Sequence, residues 1–328
     1  MLNTYWKYAG TRYKHKFKAI EASRGDIHNI TYSLFDTSLE NYDWTVEPAE
    51  SLDELMRQRA LQLRDTYTYL KLWFSGGSDS TTVLRVFLEN NIPIDEIGVY
   101  RYYEPENESN QEVNNYTIPY LKSIQHLIPK TKIKIYCWDA NFYYKYLNDN
   151  WFNTRSLLTT RHFYFPNIKG KNYCNIVCGQ EPNLEIRNGK YYCNFWDTDA
   201  FGELSGFRNI EMFFTSPDLL ELHAKQSYIL KKYIKNNCDY VPVGAEYKDL
   251  VRAVLRDKAI APEPFYFRKN VIIDGPKQWV NPKDKMMLNS MTQIEKDKFR
   301  YILSSTVGGI PMYRLYQGYK AFAADLGE

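Results

Sequence analysis

Apolar and polar residues along this chain follow two rhythms, one close to every second position and one at steps of three and four. Tyr67 to Phe74 is an apolar run of strand length. Ile97-Gly98-Val99-Tyr100-Arg101-Tyr102 follows it, then Ile133, Ile135 and Cys137 alternate, and Tyr173 to Cys178 form a fourth run. These read as strands. Between them lie helical patterns: Val83 with Phe87 and Leu84 with Leu88, then Val113, Tyr116, Tyr120, Leu121, Ile124 and Leu127. Asn90-Asn91-Ile92-Pro93 stops the first helix and Pro129 the second, while Pro119 means that the second helix either kinks or begins near Thr117. Strand, helix, strand, helix, strand is the repeat of a parallel sheet, with ligands expected at the carboxyl ends of the strands.

The flanks carry local signals of their own. Residues 1–50 read as strands and turns. Tyr13-Lys14-His15-Lys16-Phe17-Lys18 alternates ring and base, as a strand with one basic face; a lysine-guarded edge strand is preferred to a nucleic-acid patch with stacking rings. Ser23-Arg24-Gly25-Asp26 turns into a second strand, Asn29 to Phe35. Ser51-Leu52-Asp53-Glu54 has the form of a capping box, and Leu55, Ala60, Leu61 and Leu63 give the helix behind it an apolar side. Asn188-Gly189 marks a type I′ hairpin within Glu185 to Tyr192. Ser216-Pro217-Asp218 predicts a helix start, with Leu219, Leu222, Gln226, Ile229 and Tyr233 on its face and Asn236-Asn237 at its end. Further helices are predicted at Glu246–Asp257, Thr292–Ser304 and Met312–Asp325. The fold class is therefore α/β: a doubly wound, Rossmann-like parallel sheet over residues 51–328, with a small β-rich extension over 1–50 and a helical C-terminal part.

Bulk properties narrow the partners. The 328 residues carry 42 basic and 39 acidic side chains, a net charge of +3, so bulk charge leaves nucleic acid open but not favoured. Met1-Leu2-Asn3-Thr4-Tyr5-Trp6-Lys7 lacks an apolar signal core and no later run reaches membrane-spanning length, so no membrane partner is expected. Five scattered cysteines suit a reducing cytoplasm. Cys174 and Cys178, four residues apart on a strand, would be roughly 13 Å apart and share no metal ion. His15, His28, His126, His162 and His223 show no zinc-ligand spacing.

The chemistry concentrates where the first strand ends, in Phe74-Ser75-Gly76-Gly77-Ser78-Asp79-Ser80-Thr81. Glycines let the main chain approach a bulky anion, and the free N–H groups of Ser78 to Thr81 would face that anion from the helix start. Ser75 and Ser80 add hydroxyls, and Asp79, expected in a solvent-facing loop, adds a charge able to hold Mg²⁺ against phosphate oxygens. The Walker loop is excluded by its spacing and its lysine. The pattern Ser-Gly-Gly-x-Asp-Ser/Thr resembles the PP-loop, the signature of the N-type ATP pyrophosphatase superfamily. The resemblance implies an adenine nucleotide alpha hydrolase type of fold, binding of ATP and Mg²⁺, cleavage between the α and β phosphates, and adenylation of a substrate oxygen. Phe74, Val99 and Tyr100 would then flank adenine.

Lys248, Leu250, Arg252 and Leu255, followed by Pro262, Arg268 and Lys269, resemble the synthetase domain of the asparagine synthetase and β-lactam synthetase family. The likeness spans roughly residues 50–270. It implies a lysine on the polyphosphate that stabilises the leaving pyrophosphate, a role for Lys269 or, in the other register, Arg268. The family's Gly-x-Gly-x-Asp-Glu segment falls on Gly179-Gln180-Glu181-Pro182-Asn183-Leu184. Asn183 ligates a metal only through its carbonyl, so Glu181 or Glu185 would have to supply the acid. The approach to the long helix, Met212 to Asp218, is a less specific likeness. Glutamine-using members carry a cysteine after Met1, where this chain has Leu2, and the residues before Ser51 are too few for a glutaminase half. The implied activity is an AMP-forming ligase that joins an external amine or ammonia to a small-molecule or base-type acceptor. Its rivals are a base- or tRNA-modifying enzyme of the same superfamily and a non-catalytic nucleotide-binding protein.

Overall fold

The computed structural model describes residues 4–13, 16–24, 26–102, 110–138, 172–178, 182–196, 209–260, 306–307, 310–311 and 320–328. β1 (Thr4–Tyr8) and β2 (Thr11–Tyr13) form a hairpin whose loop residues, Ala9 and Gly10, both have positive φ, as a tight primed turn requires. The strand predicted through Lys18 ends at Tyr13; Lys16–Ser23 is a helix, α1. Ala19, Ile20 and Ser23 are buried at helical spacing, and that face overrides the alternation of rings and bases from Lys16 on, while β2 itself is an edge strand. Arg24 turns the chain at φ 48°, and β3 (Thr31–Leu34) adds to β1 in the order β2-β1-β3. The short α2 (Ser38–Asn41) follows.

α3 (Leu52–Thr66) starts as expected: Ser51 Oγ accepts the Glu54 N–H at 3.2 Å. The capping box is made on that side, while the Glu54 carboxylate takes Arg57 at 2.9 Å. β4 (Tyr69–Trp73), α4 (Ser78–Glu89) and β5 (Glu96–Tyr102) realise the strand–loop–helix–strand reading. Before α5 (Ile118–Ser123), Val113–Thr117 widen into a π-helical segment. The helix runs through Thr117 rather than beginning there, and the wider turn leads into Pro119, which has no N–H for the α ladder. β6 (Lys132–Trp138) and β7 (Tyr173–Val177) follow. β8 (Asn183–Arg187) and β9 (Lys190–Trp196) meet at Asn188 and Gly189, φ 51° and 79°. β10 (Ile210–Met212) is a strand too short to leave a period in the sequence.

α6 (Leu220–Asn237) begins four residues beyond its predicted cap. Ser216 Oγ instead accepts the Asp218 N–H at 3.3 Å, closing a local turn ahead of the helix. Leu222 and Gln226 are buried as predicted, whereas Tyr233 is 41% exposed. α7 (Gly244–Leu255) matches the next predicted helix. β11 (Thr306–Val307) pairs with β12 (Ile310–Pro311). β13 (Lys320–Asp325) is a strand where a helix was predicted: Ala324 and Leu326 alternate into the core and the segment pairs with β9. The helix predicted at Thr292–Ser304 lies outside the described residues.

β4, β5, β6, β7 and β10 make a five-stranded sheet in the order β10-β7-β4-β5-β6, parallel throughout. The chain enters at the centre, leaves to one side and resumes on the other, so the order reverses between β4 and β7, where a parallel sheet opens a crevice at its carboxyl ends. Leu70, Leu72, Ile97, Val99, Cys174 and Ile176 pack with α3, α4 and α5 on one face. A second apolar cluster joins the N-terminal sheet (Trp6, Tyr32) to β8, β9, β13, α6 and α7. The first fifty residues are thus built into a core shared with the C-terminal part. Among the described residues no helix is long and apolar enough to cross a membrane.

α3 is tied to the sheet edge by a buried ion pair, Arg59 to Glu211 at 2.8 Å, with Tyr67 donating to Glu211 at 2.6 Å. Burial pushes the Glu211 carboxyl up, but Arg59 and Tyr67 more than offset it, and its pKa lies below the ordinary 4.5. Its stabilisation is complete above that ordinary value and is lost as the pH falls through the lowered one. Glu211→Gln should cost about 3–5 kcal/mol by urea unfolding at pH 7, because it strands a buried guanidinium. A cost under about 1 kcal/mol would show that the pair does not hold α3.

Candidate phosphate-binding loop

β4 hands the chain to the loop at Phe74, whose N–H still donates to the Gly98 carbonyl at 2.9 Å. Ser75 is exposed, and Gly76 then turns left-handed at φ 81°. A Cβ on Gly76 would stand 2.5 Å from Thr117 Oγ1, which donates to the Ser75 carbonyl at 3.0 Å. From the other side the Ile260 N–H donates to the Gly76 carbonyl at 2.9 Å. Inside the turn Ser75 Oγ accepts the Gly77 N–H at 3.2 Å, and Ser80 Oγ donates to the Gly77 carbonyl at 3.1 Å. Gly77, the N-cap of α4, has no side chain to cap the helix. The start of α4 thus has no side-chain cap, and the Thr81 N–H closes its first turn on the Gly77 carbonyl at 2.9 Å.

Asp79 sits in the first turn of α4, but not free in solvent as the sequence suggested. Its Oδ1 accepts Arg256 Nε at 2.7 Å, and the Arg256 side chain is wholly buried. Arg256 caps the end of α7 and lies over the Phe214 ring at 3.7 Å. Neighbouring bonds hold the segment in place: the Asp257 N–H donates to Thr82 Oγ1 at 2.8 Å, and Arg85 donates to the Asp257 carboxylate at 2.7 Å. Burial, and then the Asp79 charge, raise the pKa of the neighbouring Cys178 thiol. Cys174 and Cys193 are raised by burial as well, which disfavours thiolate chemistry at those positions.

Ser75, Gly76 and Gly77 form the turn after β4, and Ser78, Asp79, Ser80 and Thr81 the first turn of α4. The proposed base contacts need correction. Phe74 and Val99 are buried among the helix-side core, so they offer a base only their main chain. Tyr100 lies on the opposite face of the sheet, stacked on Trp73 at 4.2 Å. Asn183 is exposed at the start of β8, and no hydrogen bond among the described residues joins it to Asp79. Glu185 is already engaged by Arg187 at 2.6 Å and Asn194 at 2.8 Å. Gly179, Glu181, Arg268 and Lys269 lie outside the described residues. Among the described residues no group of three or more His, Cys, Asp or Glu side chains could hold a metal ion by itself.

Sequence reasoning missed Arg256 and Thr117, since nothing in their local patterns points to a loop far away in the chain. It also missed Lys71, fully buried on the sheet face opposite α4. Lys71 Nζ meets Glu96 at 2.8 Å between the rings of Tyr136 (3.7 Å) and Trp73 (4.2 Å). Gly98 makes room for it, because a Cβ there would come 2.9 Å from Lys71 and Trp73. Burial lowers the Lys71 amine to about 8. Glu96 also takes Tyr69 at 2.8 Å and Tyr136 at 2.5 Å. This is a mutually satisfied cluster that holds β4, β5 and β6 in register.

The chain matches no known protein family, curated protein or solved structure.

Gly76→Ala should destabilise the fold by about 2–3 kcal/mol or more, because it combines a left-handed backbone with a side-chain overlap. Gly10→Ala, at φ 82° with nothing within 4 Å, carries the backbone strain alone and should cost about 1 kcal/mol. Thermal unfolding of the pair checks this; equal losses would show that Thr117 yields freely.

Proposed function

We propose that this chain binds ATP with its polyphosphate on the Ser75–Thr81 loop and acts as an AMP-forming ligase. The observation that carries the reading is the left-handed turn at Gly76, which sets the uncapped end of α4 at the strand-order reversal of a parallel sheet. On this reading the sheet is of the doubly wound, adenine nucleotide alpha hydrolase type. The Ser-Gly-Gly-x-Asp-Ser pattern without a Walker lysine supports cleavage between the α and β phosphates.

The residues fit Mg²⁺ held jointly with phosphate. Asp79 turns Oδ1 to Arg256 and is 24% exposed, leaving Oδ2 for the metal, and one carboxylate suffices when the substrate phosphates supply further ligands. The metal would draw charge from the phosphate oxygens. The loop's own work is positional. Ser75 and the uncapped start of α4 bind the phosphates, and Thr117 and Ile260 hold the turn rigid. The oxygen of a carboxylate or carbonyl acceptor attacks the α-phosphorus, the bond to the bridging oxygen breaks, and pyrophosphate leaves. An amine or ammonia then attacks the adenylated carbon and AMP departs, with a proton released as the amide or C–N bond forms. The acceptor is a small molecule or base, and the nitrogen comes from outside the chain.

Incubation with ATP, Mg²⁺, ammonium and a pool of small carboxylates should yield AMP and pyrophosphate by chromatography. ADP as the main product would sink the reading. Asp79→Ala is a poor test, since it leaves Arg256 buried and unpaired at about 3 kcal/mol or more. Asp79→Asn keeps an acceptor for Arg256 and should lower AMP formation by about a hundredfold or more at little cost to the melting temperature. Unchanged turnover in Asp79→Asn would remove Asp79 from the site.

A further inference from the structure

Arg256 carries a donor that the folded chain leaves idle. Nε donates to Asp79 Oδ1 at 2.7 Å and Nη1 to the Leu255 carbonyl at 3.2 Å. Nη2 is buried without a hydrogen-bond partner among the described residues. Covalent geometry puts the Nε and Nη2 hydrogens on one edge of the guanidinium, the fork that grips carboxylates and phosphates with two parallel bonds. Asp79 meets this edge at Nε, so the second donor lies alongside its carboxylate, at the first turn of α4. Another buried donor is idle in that same turn: Thr81 Oγ1, 9% exposed, also lacks a partner among the described residues.

The guanidinium is held at this place by its own segment. The Arg256 N–H closes α7 on the Arg252 carbonyl at 3.1 Å, the Asp257 N–H bonds Thr82, and the Ile260 N–H bonds Gly76. Stacking on Phe214 closes one face. Arg256 also neutralises Asp79, which would otherwise repel an anion approaching the helix start.

We infer that Arg256 binds phosphate: Nη2, with Thr81 Oγ1 in the first turn of α4, takes oxygens of the nucleotide's pyrophosphate group, while Nε keeps Asp79 oriented. The inference rests on the nucleotide reading given above, and its test separates the two. Inorganic pyrophosphate, adenosine and ATP are titrated calorimetrically into the wild type and into Arg256→Lys, which keeps the charge and its reach to Asp79 but loses the fork. Pyrophosphate and ATP should bind about tenfold or more weakly to the variant, the worth of one charged hydrogen bond, with adenosine affinity unchanged. Equal pyrophosphate affinity in both proteins overturns the inference, and so does an equal loss for adenosine, which marks a structural role. ATP binding that survives undiminished in Arg256→Lys sinks the inference alone; a wild type that binds no ATP sinks the nucleotide reading. If Arg256→Lys does not fold, a structure of the wild type with pyrophosphate decides. A phosphate oxygen within about 3.2 Å of Nη2 supports the assignment, and none within about 4 Å overturns it.

Discussion

The turn at Gly76 is where the distant parts of the molecule meet. Its left-handed backbone ends β4 and aims α4; Thr117 fills the space that a side chain would need; and Ile260, beyond α7, hydrogen-bonds its carbonyl. One residue without a Cβ therefore sets the start of α4, the approach of the helix before α5 and the path of the chain after α7. The position of Asp79 follows from the first of these, and that of Arg256 from the last.

Buried polar groups divide by how completely they are satisfied. Lys71 and Glu96 answer each other, with tyrosine hydroxyls closing the remaining positions, and the cluster works as a fastener across three strands. Cys193, His223 and Thr215 resemble a nucleophilic set, with Cys193 Sγ 3.4 Å and Thr215 Oγ1 2.7 Å from the imidazole. They are sealed in the core: burial, reinforced by the Arg256 charge, lowers His223 to about 3, and burial raises Cys193 to about 11. Neither group carries the charge that nucleophilic chemistry needs near neutral pH, so the resemblance is one of composition. At the loop the balance differs: α4 has no side-chain cap, and Thr81 Oγ1 and Arg256 Nη2 are buried without a hydrogen-bond partner among the described residues.

Several parts of this arrangement were legible in the residues themselves. The strand–loop–helix around Ser75–Thr81, the Ser51 cap, the Asn188-Gly189 hairpin and the parallel order of the first strands each depend on neighbours within one or two elements. Backbone stereochemistry and hydrophobic period carry that information locally. Only the tertiary structure decided the rest. Lys16–Ser23 became a helix and Lys320–Asp325 a strand because each buries its apolar residues against partners far away in the chain, and β10 is too short to announce itself. Asp79 and Arg256, 177 residues apart, form their ion pair only once the segment that follows α7 has bonded to α4 through Asp257. The sequence by itself determined that a glycine-rich loop joins the first strand of the parallel sheet to a helix; the packing of distant segments determined that Arg256 pairs with Asp79 there, since pairing between remote charges leaves no period to read.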